Sequence, residues 1–184
     1  GMICNGFSIT DDFINAQNVA DLNIELDLRK ALGNLKIADI GNKEALLDGS
    51  QRGDSTNWIE KEDITCAGDF LKIIENFRRY FNETCFLGLT KAEIHFAEFP
   101  KGASYKKHLD AFTLQNKRKI SIITYLNNEW TNLNGGELVI HEQRLATKIT
   151  PLAGRMVCFE SAKTLHEVLP SNRARRSITG WLSQ

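Results

Sequence analysis

Ile120-Ser121-Ile122-Ile123-Thr124-Tyr125-Leu126 is the stretch on which the fold turns. β-Branched and aromatic residues crowd a short run that ends at Asn127-Asn128, so it reads as a buried strand and not as a helix. The same texture continues downstream in Glu137 to His141, Thr147 to Pro151, Met156 to Phe159 and Ser177 to Leu182. Turn signals separate these runs: Asn132 to Gly136, Ala153-Gly154 and Pro170-Ser171-Asn172. Upstream, Ile94, Phe96 and the Phe99 region alternate with polar neighbours before Pro100-Lys101-Gly102. Several short strands at such spacing predict a β-sandwich or barrel.

Ahead of Leu87 the texture is helical. Thr10-Asp11-Asp12 is placed to cap a helix through Phe13, Val19, Leu22, Leu26 and Leu32, with Gly33-Asn34 as its stop. Phe70, Ile73, Ile74, Phe77, Tyr80 and Phe81 recur at helical spacing, which predicts a second helix from about Ala67 to Asn82. Residues 41–57 are polar and turn-rich and read as a long loop or hairpin. The expected class is mainly β with flanking helices (α+β), a jelly roll. It forms one domain over 1–184, with helices and loop in about 1–86 and the β core in about 87–184.

Lys plus Arg and Asp plus Glu both number 23, so the net charge is zero. That balance argues against a dedicated nucleic-acid binder or a membrane-surface protein. No apolar run approaches the ~18 residues of a membrane span, and no basic-then-apolar N-terminal stretch marks a signal peptide. Gly1 ahead of Met2 reads as a tag scar. Cys4, Cys66, Cys85 and Cys158 are too scattered for a disulfide scaffold or a zinc site. They read as reduced, mostly buried thiols in a cytoplasmic protein.

One of the four histidines has a useful carboxylate neighbour. In His108-Leu109-Asp110, positions i and i+2 of an extended segment share a face, so imidazole and carboxylate can share a metal. A second histidine must come from elsewhere. His166 is the first choice, because Arg175 follows it on the next strand and offers a planar fork to the far carboxylate of a dicarboxylate. His141 is the rival, with no such Arg after it. Two histidines and one carboxylate suit non-haem iron(II) and leave positions open for cosubstrate and oxygen.

From Arg52 to its end, the chain resembles the prolyl 4-hydroxylase branch of the iron(II)/2-oxoglutarate oxygenases. The matching pieces are Tyr105-x-x-His108-x-Asp110, Tyr125-Leu126-Asn127 with Trp130, Gly135-Gly136-x-Leu138, His166-Glu167-Val168 and Arg175-x-Ser177-Ile178-Thr179-x-Trp181. Arg52-Gly53-Asp54 with Trp58-Ile59-Glu60 looks like the segment after the substrate loop of the oxygen-sensing prolyl hydroxylases and their bacterial relatives. The resemblance implies a double-stranded β-helix, iron(II) on His108, Asp110 and His166, and 2-oxoglutarate on Arg175. It implies that Tyr105 and Trp181 line the pocket and that Thr124, by spacing, takes the place of a tyrosine that bonds the cosubstrate. Arg52, Asp54 and Trp58 would bind substrate. The implied partners are O2, 2-oxoglutarate and a protein or peptide substrate, with ascorbate as a reductant and with neither nucleic acid nor membrane. The implied reaction is hydroxylation of a prolyl residue. A free amino acid or other small molecule is the alternative substrate, and a non-catalytic jelly-roll binding module the alternative function.

Three other features read as structural. His95 is a strand histidine without a carboxylate at the right spacing. Asn116-Lys117-Arg118-Lys119 is a solvated basic loop. Gly135-Gly136 opens a strand and, with no helix after it, is no phosphate loop.

Overall fold

The computed structural model describes residues 6–38, 52–111, 117–142 and 145–184. Eleven strands run β1 (Phe7–Thr10), β2 (Lys36–Ile37), β3 (Ser55–Trp58), β4 (Lys91–Phe99), β5 (Tyr105–His108), β6 (Arg118–Tyr125), β7 (Leu138–His141), β8 (Ala146–Ile149), β9 (Met156–Glu160), β10 (Leu165–Val168) and β11 (Arg175–Ser183). Among the described residues two α-helices accompany them, α1 (Ala16–Ala31) and α2 (Cys66–Cys85). A seven-stranded sheet has the order β1-β9-β6-β11-β4-β3-β2 and a four-stranded sheet the order β5-β10-β7-β8. The pairings are antiparallel. The arrangement is a jelly roll with helices on one face.

Two apolar layers hold it together. Between the helices and the large sheet, Val19, Leu22, Leu26, Phe70, Ile74 and Phe81 meet Phe96, Ile120, Ile122, Met156, Ile178 and Leu182. Between the sheets, Phe99, Ile123, Tyr125, Val157 and Phe159 meet Leu138, Ile140, Ile149 and Val168. The central strands are therefore buried on both faces. This is why 94–99 is buried throughout and not alternating as the sequence had implied.

Several expectations are corrected here. Thr10-Asp11-Asp12 caps nothing; residues 7–10 pair with β9, and the α1 cap is Asn15, whose side chain accepts from the Asn18 N–H at 2.9 Å. The helix starts one turn later because a carboxamide oxygen there satisfies an orphan donor. The α2 N-terminus borrows its acceptor from α1: the buried Glu25 carboxylate accepts from the Ala67 N–H, Thr65 Oγ1 and Cys66 Sγ. Of 41–57, residues 41–51 lie outside the described residues. Arg52 forms an isolated bridge with Tyr105, and 55–57 belong to β3, paired with β4. Lys119 and Arg118 are in β6, not in a loop. Among the described thiols, Cys158 is buried, Cys66 half-buried and Cys85 exposed. No helix among the described residues is long and apolar enough to cross a membrane.

Candidate active site

Strand register brings the distant histidines together. His108 ends β5, and β10 pairs beside it with His166 directly opposite. Asp110 follows β5 in a turn whose N–H donates to the Ser161 carbonyl at 3.1 Å. The His108 and His166 Nε2 atoms lie 3.5 and 3.8 Å from Asp110 Oδ1. One ligand atom from each of the three residues lies within 4.8 Å of the others. His141 is on β7 and bonds Glu167 at 2.8 Å, so it is not part of this group.

The remaining polar atoms of the three residues are tied down. His108 Nδ1 donates to the Lys106 carbonyl at 2.6 Å and His166 Nδ1 to the Thr164 carbonyl at 2.9 Å. A carbonyl only accepts, so each imidazole must carry its proton on Nδ1 and present an Nε2 lone pair toward Asp110. Asp110 Oδ2 accepts from Ser121 Oγ at 2.6 Å, and Ser161 Oγ lies 2.9 Å from Ser121 Oγ. Second partners of this kind orient metal ligands. Burial alone would raise the Asp110 carboxyl. The neighbouring His108 and His166 side chains and the Ser121 hydroxyl outweigh it and hold the group well below the usual carboxylate range. Burial lowers the His166 imidazole, against the pull of Asp110. Ionised carboxylate and neutral imidazoles are the forms a metal needs.

A cavity opens beside this group. Its deep end is walled by Phe99, Ile123, Leu138 and Val168 and closed by Arg175. Arg175 is 1% exposed. Its Nε donates to the Gly136 carbonyl at 2.9 Å, and its Cζ lies 5.3 and 5.0 Å from the Phe99 and Tyr125 ring centres. Among the described residues this buried cation forms no ion pair, and its Nη2 and the Tyr125 hydroxyl have no hydrogen-bond partner. A buried charge without a counter-charge is strongly unfavourable, so the pair fits an incoming carboxylate. Gly136 has φ +72°, and a Cβ there would come within 3.1 Å of Trp130 and 3.3 Å of Arg175 Cδ. The Gly-Gly strand start thus makes room for the arginine.

Thr124 is not where the spacing put it. Its cross-strand partners, Met156 and Ile178, belong to the helix-side layer. Partners directly opposite share a face, so Thr124 faces the helices. The next residue, Tyr125, belongs to the layer between the sheets and pairs with Ser177, which lines the cavity. The hydroxyl beside Arg175 is therefore that of Tyr125. Sequence reading missed it by one residue, because β6 is buried on both faces.

Toward the outside the cavity is lined by Tyr105, Trp181, Arg52 and Asp54. The Tyr105 ring stacks on His108 at 3.6 Å between centres. Arg52 and Asp54 form a two-pronged pair at 2.6 and 2.9 Å with the carboxylate fully buried, so it is not a surface link. Trp58 is half exposed and packs on His95. Arg118 lays its Cζ 3.5 Å from the Trp181 ring centre, which removes it from the solvated run expected of it.

Residues 94–183 match the model of the 2OG-Fe(II) oxygenase superfamily. Over its whole length the chain superposes on a Pseudomonas putida prolyl-4-hydroxylase with TM-score 0.90 and 33% identity, covering 95% of that chain. The chain belongs to the 2-oxoglutarate/iron(II) oxygenases, in their prolyl hydroxylase branch. A Trichoplax adhaerens prolyl hydroxylase, solved with a hypoxia inducible factor peptide fragment, matches 99% of the oxygenase at TM-score 0.88 and 25% identity, over 85% of that chain. A viral collagen prolyl hydroxylase from Paramecium Bursaria Chlorella virus-1 matches 98% of it at TM-score 0.70 and 20% identity, over 97% of that chain, and shows the fold alone. As a member of this family the oxygenase is a dioxygenase that uses iron(II), 2-oxoglutarate and O2. The donor set fits the metal, two imidazoles and one carboxylate, and the unpartnered Arg175 and Tyr125 atoms fit the dicarboxylate.

Proposed function

We propose that the oxygenase hydroxylates a prolyl residue of a polypeptide, with His108, Asp110 and His166 holding iron and Arg175 and Tyr125 holding the far carboxylate of 2-oxoglutarate. The observation that carries this reading is the cavity itself. A metal-ligand group sits between a buried, unpaired guanidinium and an aromatic outer wall, in a chain alike over its full length to a prolyl-4-hydroxylase.

Bound iron would couple reduction of O2 to oxidative decarboxylation of 2-oxoglutarate, giving succinate and carbon dioxide, and to hydroxylation of the substrate. The protein's own part is orientation. Ser121 holds Asp110 Oδ2, leaving Oδ1 for the metal. The Lys106 and Thr164 carbonyls fix both imidazole tautomers. Phe99, Ile123, Leu138 and Val168 exclude water from the methylenes of the cosubstrate, and the Arg175 fork fixes its far end. Tyr105 and Trp181 border the outer cavity, where a pyrrolidine ring, which has no N–H to satisfy, would lie. Arg52 and Asp54 brace the rim on which Trp58 stands, where a polypeptide would pass. Ascorbate would sustain turnover by returning oxidised iron to iron(II).

The test is mass spectrometry of proline-containing proteins incubated with enzyme, iron(II), 2-oxoglutarate and ascorbate. A prolyl residue should gain the mass of one oxygen atom only when 2-oxoglutarate is present. Turnover of a free small molecule with no polypeptide modified would refute the reading.

A further inference from the structure

Five buried side-chain polar atoms lack a hydrogen-bond partner among the described residues: Arg175 Nη2, Tyr125 Oη, His95 Nδ1, His95 Nε2 and Trp181 Nε1. They fall into two groups. The first two form the cosubstrate anchor. The other three sit together at the outer wall, where nothing in the reading above uses His95. Leaving such atoms unpaired is costly, and native proteins rarely do so without reason.

His95 is 1% exposed. Its ring centre is 4.7 Å from that of Trp58 and 5.5 Å from that of Trp181, and the two tryptophans are 6.3 Å apart. Trp58 pairs with His95 across β3 and β4. The short β2 pairs only with Ser55 and Thr56 of β3, so among the described residues no strand pairs with Trp58 on the side away from β4. Trp58 is 46% exposed and covers the imidazole. Burial, with Arg52 and Arg118 nearby, lowers the imidazole to about 4, against Asp54 and Asp110. At neutral pH the ring is uncharged and carries one N–H and one lone pair. With the Trp181 N–H, the wall holds two donors and one acceptor. A carboxamide fits the Trp181 N–H and the imidazole lone pair together, since its oxygen accepts and its own N–H donates; the imidazole N–H points away from that lone pair and takes a second acceptor from the bound chain. An apolar group would leave all three atoms unpaired, and a carboxylate would leave the imidazole lone pair without a donor.

We infer that His95 and Trp181 form a subsite that reads a carboxamide group beside the reacting prolyl residue once the Trp58 side chain turns outward. This rests on the polypeptide reading above. His95 is then a specificity-determining residue kept at the expense of stability, as binding sites commonly are.

The test uses the full chain with iron(II) and 2-oxoglutarate, and proline-containing peptides whose residues flanking the proline are Asn, Gln or Leu. His95→Phe and His95→Leu should raise the peptide KM about ten- to hundredfold with little change in kcat. His95→Gln, which keeps a donor and an acceptor, should restore most of the affinity. If the group read is the peptide backbone, all peptides suffer alike; if it is a side chain, the Asn and Gln peptides suffer and the Leu peptides are spared. The Tm of His95→Phe or His95→Leu should rise by roughly 2–8 °C. Peptide KM values equal to wild type in both variants would overturn the subsite while leaving the polypeptide reading intact. A fall in Tm in both would also overturn it, by making His95 a structural residue. If wild-type enzyme hydroxylates no peptide or protein and turns over only a small molecule, subsite and polypeptide reading fall together.

Discussion

The same two strands build both ends of the cavity, yet the ends differ in kind. At the deep end β4 contributes Phe99 and β11 contributes Arg175, which face each other in register. A fixed charge there lies between two rings and is closed from solvent. At the outer end β11 contributes Trp181, against which His95 of β4 packs, and the imidazole is covered by a half-exposed Trp58. Both ends bury polar atoms without partners. One is a rigid socket suited to a cosubstrate that is always the same. The other is an uncharged wall suited to a chain that must enter and leave. Between them stand His108, Asp110 and His166, grouped closely enough to share a metal ion.

Substitutions can break this contrast. The largest effect belongs to the centre: Asp110→Ala should reduce succinate formation to background while the circular dichroism spectrum keeps its native shape. At the deep end, Arg175→Ala removes one partner of a buried charge pair, a loss of about 3–5 kcal/mol. The KM for 2-oxoglutarate should rise by two orders of magnitude or more, and by about tenfold for Tyr125→Phe. Thr124→Val, on the other face, should leave it unchanged, as should Arg176→Ala, whose side chain bonds Glu98 and Asp27. At the rim, Arg52→Ala leaves the Asp54 carboxylate buried without its partner. Denaturant unfolding should show a loss of about 3 kcal/mol or more.

The smallest effect is a pH dependence at the outer wall. His95 has a folded value of about 4 against an ordinary 6.5. The unfolded chain then takes up a proton there between those values and the folded chain does not. The folded state is therefore weakened as pH falls from 6.5 to 4, by on the order of 3 kcal/mol. The charges of Arg52, Asp54, Arg118 and Asp110 all act on this imidazole, so the comparison is made within one background. His95→Phe should lose less stability than wild type over that interval in chemical denaturation. Parallel curves for the two proteins would refute the assignment.

Much of this was legible before any coordinates. Strands β4, β6, β7, β8, β9 and β11, the second helix, the His108-x-Asp110 pair and the choice of His166 ahead of Arg175 follow from periodicity and side-chain chemistry alone, while β5 and β10 are too short and mixed to be announced by a pattern. What escaped has physical causes. Strand β1 is four residues long and pairs only through its backbone register with β9, which no hydrophobic pattern announces. Thr124 was taken for Tyr125 because β6 is buried on both faces. A strand with no polar face gives no parity signal, and a slip of one residue reverses every side chain. His95 was read as a plain strand histidine; its two tryptophan neighbours come from β3 and β11 and meet it only through sheet order.

The central claim is the ligand set, and the most direct measurement is an anaerobic titration of the enzyme with iron(II) and 2-oxoglutarate, followed by visible absorbance. Wild type and His141→Ala should develop the colour of a cosubstrate bound to iron, and His166→Ala should not. Colour retained in His166→Ala and lost in His141→Ala would contradict the account.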